Sequence, residues 1–122
     1  MQLIKLHIKK RYIPTRVIAC KTVRENNGIA CSTRNNNLKK KHISIASNVY
    51  KFLINKKKKI KKDINNFKHL DFKKELIKLG LKKIDYIEIL DTTNLHPPKN
   101  RKNNFKIFIA YYLNKVRLID NI

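Results

Sequence analysis

Glycine and tryptophan are nearly absent from this sequence, which has two glycines, Gly28 and Gly80, and no tryptophan. Two distant glycines cannot form a glycine-rich nucleotide-binding loop such as GxGxxG or a P-loop, so those motifs are excluded. No run of 18 apolar residues occurs either, and no transmembrane helix is therefore indicated. The first residues mix charged and apolar side chains and lack the architecture of a signal peptide, so we expect a cytoplasmic protein.

Cysteine and histidine are also too few and too scattered to predict a metal site. Cys20 and Cys31 do not form a CxxC pair, and no two of the four histidines are separated by three residues. In a cytoplasmic protein the thiols are expected to stay reduced. We expect both cysteines to act as small hydrophobic residues, because Cys20 falls in an apolar run and thiols are often buried.

Acidic residues are scarce, and the formal net charge at pH 7 is +22. Such a charge is typical of proteins that bind nucleic acid or anionic membranes, so a small basic RNA- or ribosome-binding protein is one candidate function. However, only six of the thirty basic residues are arginine, and the densest lysine cluster, at positions 56–62, contains no aromatic side chain for stacking on bases. Lysine, asparagine and isoleucine share A/T-rich codons. We therefore interpret the charge as the bias of an AT-rich genome and expect neither nucleic acid nor a membrane as partner.

The segment 22–35 reads TVRENNGIACSTRN and contains the residue types of a phosphate-binding loop. Gly28 permits a backbone turn where a side chain would clash. Ser32 and Thr33 carry hydroxyl donors, and the planar fork of Arg34 matches phosphate oxygens. From residue types alone, a simple turn followed by a helix cap at Ser32 and Thr33 is the more common interpretation.

The order of these residues resembles the signature of the pantothenate synthetase (pantoate–β-alanine ligase) family, roughly T-V-R-E-x-D/N-G-L-A-x-S-S-R-N. Ile29 and Thr33 replace the usual Leu and second Ser, and both substitutions keep the chemistry. The resemblance continues in the family's order with DYIEILD at 85–91, where Leu90 replaces the usual Arg, and with VRLIDN at 116–121. Three ordered matches make the resemblance specific.

The resemblance implies that this chain is the C-terminal half of the ligase. The family's first half is a Rossmann-like nucleotide-binding domain with a His-Ile-Gly-His-type motif, and this sequence contains no such motif. Residues 1–22 would then be the end of the Rossmann-like domain and residues 23–122 the C-terminal domain. No catalytic residue is expected in the chain, which would need an N-terminal half polypeptide and would be inactive alone.

The resemblance also implies a reaction. ATP and Mg²⁺ convert pantoate to pantoyl-adenylate with release of diphosphate, and β-alanine then displaces AMP to give pantothenate. It places the ATP contacts at Val23, Cys31, Ser32, Thr33 and Arg34, with Val23 at the adenine through its main chain. Gln2 would contact pantoate. Members of the family form homodimers, so a homodimer is also implied, and no residue of this chain is expected to bind the metal.

Hydrophobic periodicity predicts an α+β fold with helices packed on a small antiparallel sheet. Helices are predicted before Pro14 and over about 39–64 and 71–79, and strands over about 15–20, 84–90, 105–113 and 116–119. Gly80 should end the third helix, whose inward residues are predicted to be Phe72, Leu76, Ile77 and Leu79. Asp91 and the pair Asp120–Asn121 are expected to fix turns at strand ends.

Overall fold

The computed structural model describes residues 2–12, 14–63, 71–100 and 104–122, and this part of the chain is an α+β structure as predicted. Helices lie against a three-stranded antiparallel sheet with strand order β1-β2-β3. The elements are α1 (Gln2–Lys10), a short 3₁₀ helix (Thr33–Asn37), α2 (Lys40–Lys62), α3 (Phe72–Lys78), β1 (Lys83–Asp91), β2 (Phe105–Leu113) and β3 (Val116–Asn121).

One face of the central strand β2 contributes to the hydrophobic core. Its alternate residues Phe105, Ile107, Ile109, Tyr111 and Leu113 are all buried, as expected for side chains that point to one face of a strand. Hydrogen bonding pairs β2 with β1 on one side and with β3 on the other. A two-residue turn, Asn114–Lys115, joins β2 to β3, and Asn114 has a positive φ of 55°, which asparagine tolerates better than most residues.

Helix α2 packs on the buried face of the sheet with the apolar stripe that its hydrophobic periodicity predicts. Ala46, Leu53 and Ile60 are buried, and Ile43 and Tyr50 are partly buried against the same core. The end predicted near Ile64 lies outside the described residues, and α2 itself ends at Lys62. None of the helices in the described ranges is long and apolar enough to cross a membrane.

Helix α3 begins and ends as predicted. The Asp71 carboxylate caps it by accepting a hydrogen bond from the Lys74 backbone N–H at 3.0 Å, and Gly80 follows it with φ +103°. The prediction that Ile77 faces inward is wrong, because that side chain is 58% exposed. A helix of seven residues buries one face. Phe72 and Leu76, four positions apart, lie on that face and occupy it, so Ile77 points elsewhere.

The start of the lysine-rich end of α2 is not a solvated surface. The Lys56 side chain is buried, its Nζ lies 2.6 Å from Glu75 Oε2 of α3, and it faces the rings of Phe52 and Phe72. Burial and the nearby cations of Lys61 and Lys106 lower the pKa of Lys57. The cluster thus contains one lysine that joins α2 to α3.

The strand predicted over residues 15–20 is absent. The segment 14–23 has no regular structure, and Ile18 is 69% exposed. β-Branched residues favour extended backbone, but a strand exists only when a neighbour accepts its hydrogen bonds, and no described strand lies beside this segment. The expectation that both cysteines act as small hydrophobic residues is also wrong, because Cys20 and Cys31 are exposed and not part of the core.

Two adjacent substitutions in α3 test its buried face. We expect Leu76→Ala to lower the free energy of unfolding by about 2–5 kcal/mol, because it leaves a cavity at a fully buried position. Ile77→Ala is the matched control, since it removes an exposed side chain from the same helix and should change stability by less than about 0.5 kcal/mol. Urea unfolding followed by circular dichroism measures both. Equal losses in the two variants would contradict the observed orientation of α3.

Candidate functional site

The segment 22–35 folds into a narrow loop whose two sides are hydrogen-bonded at the base. Arg24 and Ala30 form an isolated antiparallel bridge. The Cys31 N–H donates to the Val23 carbonyl at 3.0 Å, and the Glu25 N–H donates to the Ile29 carbonyl at 2.9 Å. This pairing brings the two sides of the loop together. Residues 31–34 begin at the last paired residue, Cys31, and continue past the base; we call these four residues the tip.

Gly28 makes the sharp turn of the loop possible, as its sequence context predicts. Its φ is +88°, in the left-handed region that favours glycine. A Cβ atom at this position would lie 2.2 Å from Cδ1 of the Tyr50 ring. The turn therefore requires glycine both for its backbone conformation and for its close approach to α2.

Arg24 anchors the base of the loop to the end of β3. Its two terminal nitrogens donate to the Asp120 carboxylate at 2.7 and 2.9 Å, and Nη1 also donates to the Gly28 carbonyl at 3.0 Å. The guanidinium lies 4.6 Å from the centroid of the Tyr50 ring. The hydrogen bond to Asp120 raises the pKa of Arg24 in spite of its partial burial.

Sequence reasoning assigned no role to Arg24 and assigned Asp120 only to a turn. The structure shows that the two side chains form one contact across 96 positions. The available signal was that both residues lie inside stretches that match the family, at opposite ends of the chain. That signal does not indicate that the two side chains meet, because local pattern carries no information about contacts between distant positions.

Two neighbouring polar side chains strengthen the loop. The Ser47 hydroxyl of α2 donates to the Asn27 carbonyl at 2.8 Å, and the Asn35 amide donates to Glu25 Oε1 at 2.7 Å and to the Ala30 carbonyl at 3.1 Å. These bonds hold both the turn and the base in place. The loop is therefore anchored by a charged pair and by neutral hydrogen bonds.

The tip contains a helix cap and exposed polar side chains. Ser32 caps the 3₁₀ helix, because its Oγ accepts from the Arg34 N–H at 3.2 Å, so the capping interpretation is confirmed. The same hydroxyl retains a proton to donate. Ser32, Thr33 and Arg34 are all exposed, and within the described ranges no carboxylate pairs with the Arg34 guanidinium.

The two main-chain groups expected at ATP are already bonded to each other. The Cys31 N–H donates to the Val23 carbonyl, so this N–H is not free for a ligand in this conformation, whereas the carbonyl oxygen has a second lone pair. The Val23 side chain is exposed. Gln2 lies in α1, but its side chain falls outside the described residues, and its predicted contact with pantoate stays a prediction.

A cavity of about 230 Å³ lies under the loop, between α2 and the inner face of the sheet. Its polar lining includes Ser32, Arg34, Asn35 and Tyr111. Asn35 Oδ1 is buried and has no hydrogen-bond partner within the described part of the chain, and burial raises the pKa of Tyr111. The described residues contain no group of three His, Cys, Asp or Glu side chains that could hold a metal ion.

Comparison with known families decides the relationship that these features indicate. The family model for Pantoate-beta-alanine ligase matches residues 1–122, the whole chain. The chain belongs to the pantoate–β-alanine ligase family. The pantothenate synthetase of Clostridium botulinum (strain Loch Maree) is 36% identical over 124 residues, which cover 99% of this chain and 44% of that protein. The pantothenate synthetase of Ruthia magnifica is 38% identical over 122 residues, which cover 98% of this chain and 42% of that protein.

Solved structures of pantoate–β-alanine ligases show the same fold. Pantothenate synthetase from Thermus thermophilus matches with a TM-score of 0.78 at 22% identity, covering 99% of this chain and 44% of that one. The ligase from Francisella tularensis, whose crystal structure is a complex with beta-gamma ATP and beta-alanine, matches with a TM-score of 0.63 at 32% identity. The match covers 98% of this chain and 38% of that one. The chain therefore spans less than half the length of these relatives, and the predicted family is confirmed.

The two glycines allow a matched test of the loop. We expect Gly28→Ala to lower the free energy of unfolding by about 2–4 kcal/mol, because it adds both left-handed strain and a clash with Tyr50. Gly80→Ala has a similar positive φ, but its new Cβ would only approach the flexible end of Ile45 at 3.2 Å, so about 1–2 kcal/mol is expected. Thermal and urea unfolding measure the difference. Equal destabilisation would show that Tyr50 does not constrain the turn.

Proposed function

We propose that this chain is the C-terminal part of a pantoate–β-alanine ligase and that its tip, residues 31–34, binds the phosphates of ATP. The observation that carries the proposal is the exposed Arg34 guanidinium, which has no carboxylate partner within the described ranges and stands on a loop with a fixed base. Exposed hydroxyls of Ser32 and Thr33 stand beside it. A planar guanidinium and hydroxyl donors together suit the oxygens of a polyphosphate.

The proposed reaction has two steps. A carboxylate oxygen of pantoate attacks the α-phosphorus of ATP, the bond from that phosphorus to the bridging oxygen breaks, and diphosphate leaves. The β-alanine amine then attacks the carbonyl carbon of pantoyl-adenylate, loses a proton and displaces AMP, which gives pantothenate. Negative charge gathers on the departing diphosphate in the first step, where Arg34 and the two hydroxyls would stabilise it.

Mg²⁺ would accompany ATP in this proposal rather than bind to this chain. A magnesium ion that is bound with a nucleotide takes oxygen ligands from phosphates, water and one or two carboxylates. The tip carries no carboxylate, and the described residues form no metal-binding group. The residues of this chain would therefore act on the phosphates directly.

The rest of the ATP and pantoate sites would belong to the N-terminal half of the ligase. We propose that residues 1–22 complete its Rossmann-like domain and that residues 23–122 are the C-terminal domain. Apolar side chains of the first segment are exposed, among them Ile4, Leu6 and Ile18. Exposed apolar side chains close together in one segment are typical of a surface that packs against another domain. A cytoplasmic homodimer, as in the family, belongs to the same proposal.

A chimaera tests the proposed function. Residues 1–122 replace the matching part of the Clostridium botulinum relative, and pantothenate formation from ATP, pantoate and β-alanine is measured. We expect activity from the chimaera, none from the 122-residue chain alone, and a loss of kcat of about 100-fold for Arg34→Met, because preorganised charge at a developing anion is removed. Lys115→Met, at the exposed β2–β3 turn, is the charge-matched control and should retain activity.

Two results would contradict this proposal. Pantothenate formed by the isolated chain would show that the N-terminal half is not required. Equal rates for the Arg34→Met and Lys115→Met chimaeras would show that the tip does not act on the phosphates. The first result concerns the missing half and the second concerns the loop, so the two failures are distinguishable.

The net charge of +22 supports one other candidate, a basic protein that binds RNA. Its test is binding of a short single-stranded RNA as a function of salt, where each phosphate contact contributes a slope of about −0.7 in a log–log plot. We expect only non-specific binding that is lost near physiological salt, because the lysines are dispersed rather than arranged with stacking aromatics. Sequence-selective binding that persists at physiological salt would favour the RNA-binding function instead.

A further inference from the structure

We propose that Arg24 and Asp120 are a positioning pair, which sets the direction in which the tip faces the phosphates of ATP. The proposal rests on the proposed function, because it concerns the same loop. Neither residue is exposed at the tip, and neither is expected to touch the nucleotide. They would act through Ser32, Thr33 and Arg34.

The geometry of the pair fixes the relative orientation of the Arg24 and Asp120 side chains as well as the distance between them. Both terminal nitrogens of Arg24 reach the two oxygens of Asp120, at 2.7 and 2.9 Å, which is the bidentate arrangement. The side chains are only 18% and 14% exposed, so water competes weakly for these bonds. A single-point contact would allow the loop to rotate about it, whereas a two-point contact does not.

The same guanidinium connects three parts of the molecule. It donates to the Gly28 carbonyl at the turn and to the Asn121 carbonyl at the end of β3 at 3.3 Å, and it lies against the Tyr50 ring of α2. One side chain thus holds the turn of the loop against both the sheet and the helix. Loss of this side chain would release all three contacts at once.

Contacts within the tip make it move with its base. Cys31 is bonded to Val23 across the base, and the Asn35 N–H donates to the Ser32 carbonyl at 3.0 Å. Asn35 in turn donates to the Ala30 carbonyl on the base. Because the tip is bonded to the base through these links, an altered base orientation would redirect Arg34.

Net charge gives a sharp test of positioning, because the two partners carry opposite charges. Arg24→Met makes the chain less positive, and Asp120→Asn makes it more positive. A purely electrostatic effect would weaken ATP binding in the first variant and strengthen it in the second. A positioning role predicts weaker binding in both.

The measurement is the Kd for ATP of the chimaera described above, which contains the whole proposed ATP site, at physiological salt, with amide hydrogen exchange of Cys31 and Glu25 measured in parallel. We expect Arg24→Met and Asp120→Asn each to raise the Kd for ATP by about tenfold. This is the effect of losing one charge-assisted hydrogen bond between the misdirected tip and the phosphates. Exchange at both amides should also become faster, because both donate across the base. Arg24→Lys keeps the charge but not the fork, so it should give an intermediate Kd.

Two controls separate positioning from loss of charge and from loss of stability. Lys115→Met removes one exposed positive charge at the end of β3 opposite to Asp120 and should leave the Kd within about twofold. Glu75→Gln removes the charged partner of the buried Lys56, so it should destabilise the chain without changing the Kd or the exchange of Cys31. An equal rise in Kd for Glu75→Gln would reduce the effect of Arg24 to general stability and overturn the proposal.

The remaining outcomes are also decisive. ATP binding by Asp120→Asn that is as tight as that of the unsubstituted chimaera overturns the positioning pair. Unchanged exchange at Cys31 in Arg24→Met overturns it as well, even where ATP binding is too weak to compare. Arg34→Met identifies the other failure: a Kd equal to that of Lys115→Met contradicts the proposed function, whatever the Arg24 variants show.

Discussion

The ion pair between Arg24 and Asp120 is the contact on which the arrangement of the loop depends. β3 is fixed in register by its hydrogen bonds to β2, so a carboxylate near its end stands at a defined place in the molecule. Arg24 binds this carboxylate and donates to the Gly28 carbonyl, so it connects the turn of the loop to β3. Without such a fixed point, a loop rich in asparagine and poor in buried apolar side chains would have little to determine its orientation.

The turn itself depends on a second feature, the close approach of Gly28 to Tyr50. The ring occupies the space that any side chain would need at position 28, and Arg24 lies against the same ring. A cation near an aromatic face is attracted to it, most strongly where water is partly excluded. Gly28 and Arg24 therefore both contact the Tyr50 ring, and Arg24 also donates to the Gly28 carbonyl.

Much of the fold could be predicted from local patterns, whereas the anchoring of the loop could not. The stripe of α2, the cap at Asp71 and the stop at Gly80 depend on residues that are near each other in sequence. The strand predicted over 15–20 failed because a strand depends on a neighbour that local pattern does not show. Arg24 was missed for the same reason, because its partner lies 96 positions away. Cys31 is exposed although its backbone N–H takes part in the pairing at the base of the loop, and hydrophobicity alone does not indicate this exposure.

The distribution of charge inside the fold bears on whether the lysines were selected for binding. Lys56 is paired with Glu75, whereas Lys57 is partly buried and its pKa is lowered by burial and by the repulsion of Lys61 and Lys106. A lowered lysine pKa means that the folded state disfavours the charge, so this lysine weakens the fold where it stands. Selection for a polyanion-binding surface would be expected to keep its cations solvated and available. A lysine excess that includes such a position is more consistent with codon bias, and the function that we propose would then depend on Arg34 and its few neighbours rather than on the total charge.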